Sequence, residues 1–340
     1  MDFYEYLCAK SSSENRYMIY SALFIGMAYG YISVKGQFCM NSGFSNVART
    51  GDTTKLKSFV AAILLQAAVL PLIITVLHYI NGEIASQVQM PPLHLIGTVV
   101  GGFLFGVGMH YSGGCGAGIF FKIGEKSTGA LIAAIGFIGG VILMEKGFLY
   151  DYALVARGSI LVQQPSLWNA ENSYTIKISL ALIITAIASL ALLFLLKGRD
   201  KKPGNTDWGW KKTGIGIGLT GIVGWLFALG VGLPYGMSII PGALDITTPV
   251  LSWASLFIVG IPLGAWWSSR GKGKKFTLPT YRIALRRLSG GLILGLTASF
   301  AVGCTMGHGL TFVPLMGVGS MVGIASIFMG SFTVGYLTRK

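Results

Sequence analysis

Gly36-Gln37-Phe38-Cys39-Met40-Asn41-Ser42-Gly43 follows directly on an apolar run that no charged loop closes. Three more stretches do the same: Ser112-Gly113-Gly114-Cys115-Gly116-Ala117-Gly118, Leu233-Pro234-Tyr235-Gly236-Met237-Ser238 and Val302-Gly303-Cys304-Thr305-Met306-Gly307-His308-Gly309. Glycine-rich, semi-polar backbone of this kind is tolerated at membrane depth only where protein buries it or where it lines a polar cavity. Around these stretches lie apolar segments at about 17–34, 57–80, 93–110, 129–146, 176–197, 213–233, 248–269, 288–303 and 316–337. Crossing a bilayer takes about 20 apolar residues. The expected fold class is therefore an all-α polytopic membrane protein, with about nine transmembrane helices and four central broken or re-entrant segments.

Composition agrees. Only 11% of the 340 residues are charged and 53% are hydrophobic, against about 25% charged in a soluble domain. The mean hydropathy is +0.66. The 49 glycines follow no collagen-like period and suit close helix packing in lipid. The net charge of +14 is read as topology rather than nucleic-acid binding, because the basic residues avoid the apolar segments. The first 16 residues are polar, without the apolar core of a cleavable signal, and Cys8 is taken as incidental.

The four stretches also repeat. Aromatic–Cys–Met at Phe38–Met40 resembles aromatic–Gly–Met at Tyr235–Met237, and Gly114-Cys115 resembles Gly303-Cys304. Cys39 and Cys115 are 76 residues apart, Gly236 and Cys304 68. A single membrane domain of residues 1–340 is expected. It would contain repeat half one at about 17–146, a linker helix at about 176–197 and repeat half two at about 213–337. Four spans per half plus one linker span send the second half in from the opposite side. That is an inverted internal repeat, with its site at the bilayer midplane. On this layout 21 of the 26 Lys and Arg residues fall on one side, which predicts an outside N-terminus and a cytoplasmic C-terminus in the inner membrane.

Little here suits catalysis. Glu125, Glu145 and Asp245 sit at segment edges, and His78, His94, His110 and His308 show no metal-ligand spacing. The cysteines form no CxxC pair, so no metal and no cofactor is expected. There is no P-loop either. Cys39, Cys115 and Cys304 instead occupy the middle of three of the four stretches. In a narrow, dry passage a thiol stays protonated, because burial penalises the thiolate. Its weak S–H suits a large polarisable anion. Gly114, Gly116, Gly236 and Gly303 let backbone N–H groups approach, and helix N-termini add partial positive charge. Permeation needs weak sites in series. His308 is either a packing residue or a lining one. Asn41, Ser42, Ser112, Ser238 and Thr305 are candidate polar linings, while Met40, Met237 and Met306 are expected to pack.

At KGQFCM (35–40), SGGCGAG (112–118) and VGCTMGHGLT (302–311) the sequence resembles the YeeE/YedE family of sulfur transporters. The resemblance covers nearly the whole chain. It implies uptake of thiosulfate, or a similar small sulfur anion, through an hourglass-shaped bundle whose loop cysteines contact the ion in turn. By motif, that role falls to Cys39, Cys115 and Cys304. Gly236 at the fourth motif brings no thiol. The resemblance also implies a small cytoplasmic sulfur-carrier protein as a possible partner, here a separate chain. Transport of another sulfur or selenium species, and a membrane thiol redox or sulfur-transfer protein, are the alternatives.

Overall fold

A computed structural model describes residues 16–80, 88, 90–158, 160–162, 174–200, 207–247, 251–270, 276 and 278–339. Cys8 and the lysines of the 271–275 loop lie outside the described residues. The chain is a bundle of helices: α1 Ser21–Gly36, α2 Met40–Thr50, α3 Thr54–Ile80, α4 Gly102–Ser112, α5 Gly116–Gly124, α6 Thr128–Glu145, α7 Tyr150–Gly158, α8 Tyr174–Lys197, α9 Trp210–Gly230, α10 Ile240–Asp245, α11 Trp253–Ser269, α12 Tyr281–Phe300 and α13 Val318–Leu337. A π-helical turn, Gly97–Gly101, leads into α4, and a π-helix, Thr305–Phe312, precedes α13. One antiparallel bridge, Leu93–His94 with Leu161–Val162, is the strand exception among the described residues.

The protein is an all-α membrane protein. Among the described residues six stretches are long and apolar enough to cross a bilayer: Thr54–Leu77, Thr128–Glu145, Ile178–Lys197, Trp210–Gly230, Tyr281–Phe300 and Val318–Leu337. The other three expected spans correspond to α1, α4 with its π-helical turn, and α11, which are shorter. Local chemistry sets the ends. The Ser127 side chain accepts from the Ala130 N–H at the start of α6, and Ser252 with Ser255 forms a capping box that starts α11 at Trp253. Expected boundaries shift most at α12, which begins at Tyr281 rather than 288. Arg282, Arg286 and Arg287 are good helix formers, so the helix runs past its apolar stretch.

Glycine sets which helices meet. A Cβ on Gly26 or Gly30 of α1 would meet the carbonyl oxygens of Phe257 or Ile261 at 2.3 and 2.0 Å, so α1 and α11 run parallel in backbone contact. Gly214 and Gly218 of α9 face the carbonyl oxygens of Ser58 and Ala62 of α3 at 2.7 and 3.2 Å in the same way. Gly136 and Gly140 of α6 face Leu288 and Leu292 of α12, and Gly102 and Gly106 of α4 face Gly323 and Ile327 of α13. Each of these four parallel pairs joins one helix from residues 16–145 to one from residues 210–337. Two further contacts are antiparallel: Gly36 meets Thr213 while Gly216 meets Ile32, and Gly290 meets Tyr111 and Ser112 while Gly108 meets Ile293. Hence α1 opposes α9 and α4 opposes α12. Outside this core, α8 lies on α3, with Ala181 and Ala188 buried and Ile183, Ile187, Leu190 and Phe194 facing outward.

Two neighbouring glycines of α6 test this packing. A Cβ on Gly140 would lie 2.4 Å from the Leu292 oxygen, whereas one on Gly139 meets nothing within 4 Å. Gly140→Ala is expected to destabilise the detergent-solubilised protein by about 1–3 kcal/mol, the scale of overpacking. Gly139→Ala should be neutral or stabilising by up to about 1 kcal/mol. Thermal unfolding of both variants measures the difference, and equal midpoints would contradict the contact.

Candidate functional site

Four helices end alike. The residue after α1, α4, α9 and α12, or within two residues of it, adopts left-handed backbone: Gln37 (φ 49°), Gly113 (φ 80°), Gly232 (φ 86°) and Val302 (φ 56°). Phe38, Leu233 and Gly303 then donate their N–H groups back to Ser33, Ala228 and Ala298 at 2.9, 2.9 and 3.0 Å. This is the Schellman closure of a helix C-terminus. For a β-branched residue such as Val302 the left-handed region is strained, at a cost of about 1–3 kcal/mol.

In three of the four breaks a cysteine sits two residues beyond the left-handed one and begins the next helix. Cys39 precedes α2, Cys115 precedes α5 and Cys304 precedes the π-helix, each in extended backbone. The Cys115 sulfur accepts the Gly118 N–H at 3.3 Å and the Cys304 sulfur accepts the Gly307 N–H at 3.5 Å. Thiols here take the place of the hydroxyl or carboxylate that ordinarily caps a helix. The same register puts Pro234 at the cysteine position of the remaining break, not Gly236 as the motif comparison expects. The chain there stays irregular until α10 begins at Ile240. Gly236 packs against the Trp225 indole, which a Cβ would approach to 2.8 Å. The close approach gives that position a steric need for glycine.

The three sulfurs converge on one turn. A Cβ on Gly118 would lie 3.0 Å from the sulfurs of both Cys39 and Cys115, and one on Gly116 would lie 4.0 Å from that of Cys304. All three cysteines are free and buried. The Cys39 and Cys115 sulfurs lie side by side against Gly118. The Cys115 N–H faces the Cys39 sulfur, and the Met40 N–H faces the Cys115 sulfur. Around Cys304 the N–H groups of Ile239, Met306 and Gly307 do the same. The first turn of α5 is thus ringed by soft sulfur and by backbone donors in a dry interior, where such dipoles act strongly.

None of Gly114, Gly116 and Gly303 has positive φ; Gly303 and Gly114 are crowded by their neighbours, whereas a Cβ on Gly116 would meet only ordinary contacts at 4.0 Å. Gly303 lies against the His308 ring, which a Cβ would approach to 2.4 Å. Gly114 lies against Gly118 and Ile119 at 3.2 Å. Gly118 is the tightest position at the sulfurs, and motif comparison passes it over. His308 is not a free donor. Its Nε2 donates to the Ala301 carbonyl at 3.2 Å, which leaves Nδ1 to accept from the Ser320 hydroxyl at 3.1 Å. With both nitrogens engaged, His308 ties the broken strand to α13 and cannot activate a thiol. Ser112 is spent on the Met109 and Gly114 carbonyls, and Ser42 donates to the Cys39 carbonyl. Met40, Met237 and Met306 are buried in the core.

Sequence reasoning misses Tyr29. It projects from α1, buried, with its ring edge-on to Phe38 at 6.3 Å. Its hydroxyl lies beside Ser33 and within electrostatic range of all three cysteines. Nothing in the sequence marks this phenol out from the other aromatic residues of an apolar helix.

An all-α membrane bundle with broken helices meeting at a buried centre suits a transport protein. The chain belongs to the sulphur transport family, whose model matches residues 35–333. It is 28% identical over 334 residues to the thiosulfate transporter TsuA of Spirochaeta thermophila, covering 94% of this chain and 99% of that one. It is 22% identical over 348 residues to the thiosulfate transporter TsuA of Escherichia coli K12, covering 94% of each.

Gly118→Ala is expected to push the Cys39 and Cys115 sulfurs apart and change their alkylation rates by a small neutral maleimide in the folded protein. Gly116→Ala, at ordinary contact distance, should leave them unchanged. Mass spectrometry of the labelled cysteines reads both, and identical rates would contradict the convergence.

Proposed function

We propose that this protein takes up thiosulfate by passing the dianion between the thiols of Cys304, Cys115 and Cys39. The observation that carries the reading is the gathering of three buried thiols, each at the start of a short helix, on the single turn Gly116–Gly118. Thiosulfate is large, polarisable and doubly charged. At the thiols, backbone N–H groups rather than a cation offset its charge, which keeps binding there weak, as conduction through serial sites requires. The two relatives named thiosulfate transporters and the family assignment support this substrate over a selenium species.

The proposal includes an inverted repeat of residues 17–146 and 213–337, with nine spans and re-entrant breaks. Its support is the symmetric exchange of partners: α1 on α11 answers α9 on α3, and α6 on α12 answers α13 on α4, while α1 opposes α9 and α4 opposes α12. It also includes an inner-membrane location with the C-terminus in the cytoplasm. The basic residues support that side. Lys35 pairs with Asp207 at 3.0 Å, Arg270 stacks on Trp266 at 3.8 Å and Lys212 on Trp208 at 4.4 Å, as interfacial residues do. A cytoplasmic sulfur carrier would receive the ion on this face.

Cys39→Ala, Cys115→Ala and Cys304→Ala are each expected to cut thiosulfate uptake by proteoliposomes severely while leaving the protein folded. Uptake by the unaltered protein should persist in full reductant, which a redox cycle through Cys39 and Cys115 would not allow. Normal uptake by all three variants would show that the thiols only pack. A reporter fused after Lys340 and active only outside the cytoplasm would overturn the orientation.

A further inference from the structure

Two lysines reach toward the sulfurs from the basic face. Lys55 stands in the first turn of α3, and its Nζ donates to the Ser42 hydroxyl at 2.8 Å. Its stem lies beside Gly43 of α2, where a Cβ on the glycine would meet the Lys55 Cβ at 3.5 Å. Lys122 stands in α5, two turns beyond Cys115, and its Nζ donates to the Gly113 carbonyl at the break before that cysteine. Both side chains are half-buried, whereas Lys57 nearby is exposed. The two ammonium groups lie within electrostatic range of each other, and each bears on Cys39.

Both ammonium groups are partly withdrawn from water at the two breaks that carry Cys39 and Cys115. Their hydrogen-bond partners, a hydroxyl and a carbonyl, are neutral. Among the described residues neither ammonium lies within salt-bridge distance of a carboxylate. Asp52 is in electrostatic range of Lys55, but one of its oxygens caps α3 by accepting the Thr54 N–H and hydroxyl at 2.9 and 2.5 Å. An ammonium has three donors, so each lysine keeps capacity for an anion. A dianion held beside the two breaks would gain charge-assisted contacts from these ammonium groups.

We propose that Lys55 and Lys122 form a second anion-binding station, on the basic-face side of Cys39, that takes a divalent sulfur oxyanion as it leaves the thiols. The proposal rests on the thiosulfate reading above and adds a residue pair to it. A pair of cations selects for double charge, which thiols and N–H dipoles do not. The station therefore supplies the preference for a dianion over a monovalent ion such as chloride, and it draws the ion off the last thiol in the path.

The test uses the full-length protein in detergent. Amine acylation is followed by mass spectrometry with thiosulfate, or with chloride at matched ionic strength. Thiosulfate is expected to protect Lys55 and Lys122, chloride is not, and Lys57 should react equally in both. In proteoliposomes, Lys55→Gln and Lys122→Gln should each raise the KM for thiosulfate roughly tenfold or more, the scale of one hydrogen bond to a charged group. Lys55→Arg and Lys122→Arg, which keep the charge, should raise it less. Equal acylation with and without thiosulfate overturns the proposal, even if the Gln variants fail to fold. Unchanged KM in the Gln variants while Cys39→Ala loses uptake overturns the station and leaves the thiol path standing. Lysine protection together with normal uptake by Cys39→Ala would sink the thiol path and leave the station.

Discussion

The structure depends on how a chain can be broken inside a dry interior. Every helix end exposes backbone groups that must find partners, and lipid supplies none. Here each of the four breaks closes one helix with a left-handed residue, at Gln37, Gly113, Gly232 and Val302. Three of them open the next helix with a cysteine. At Cys115 and Cys304 the sulfur accepts an orphan N–H of the helix it begins. The same thiols that satisfy the backbone therefore become the lining of the centre. Structure and site share the same few atoms.

That economy needs the breaks to be held close together, and glycine does this. With a side chain at Gly30, Gly140 or Gly264, the backbones of paired helices would be forced apart, since a Cβ there would come within 2.0, 2.4 and 1.9 Å of a carbonyl oxygen. Without a hydrophobic driving force between helices in lipid, such contact is a main source of cohesion. The pairs join residues 16–145 to residues 210–337, so neither stretch buries its glycine faces alone. His308 adds a polar tie between the last break and α13, seated between Gly303 and Gly323.

Much of this is written in the sequence, and the exceptions have physical causes. The apolar segments and the four interruptions are legible because hydropathy and glycine mark them, and Cys39, Cys115 and Cys304 stand out in their breaks. The counterpart of those cysteines in the remaining break is not legible. Left-handed backbone is set by hydrogen bonding, and Gln37 and Val302 adopt it without being glycine, so residue type suggests Gly236 where the backbone gives Pro234. The importance of Gly118 emerges only when Cys39 is brought to it from another helix. Tyr29 is hidden for the same reason. Ten residues before Cys39, it reads as one more aromatic residue of a spanning helix. The His308 ring against Gly303 is likewise invisible in the sequence, because only the fold brings that ring onto the glycine.

The central claim is that the anion travels over the sulfurs gathered at Gly116–Gly118. A structure of the unaltered protein in lipid, solved with selenosulfate so that the anomalous signal of selenium locates the ion, tests it most directly. The account predicts anomalous density in contact with the sulfur of Cys39, Cys115 or Cys304, beside the first turn of α5. Density confined to positions away from all three sulfurs, in a protein that transports the same ion, would contradict it.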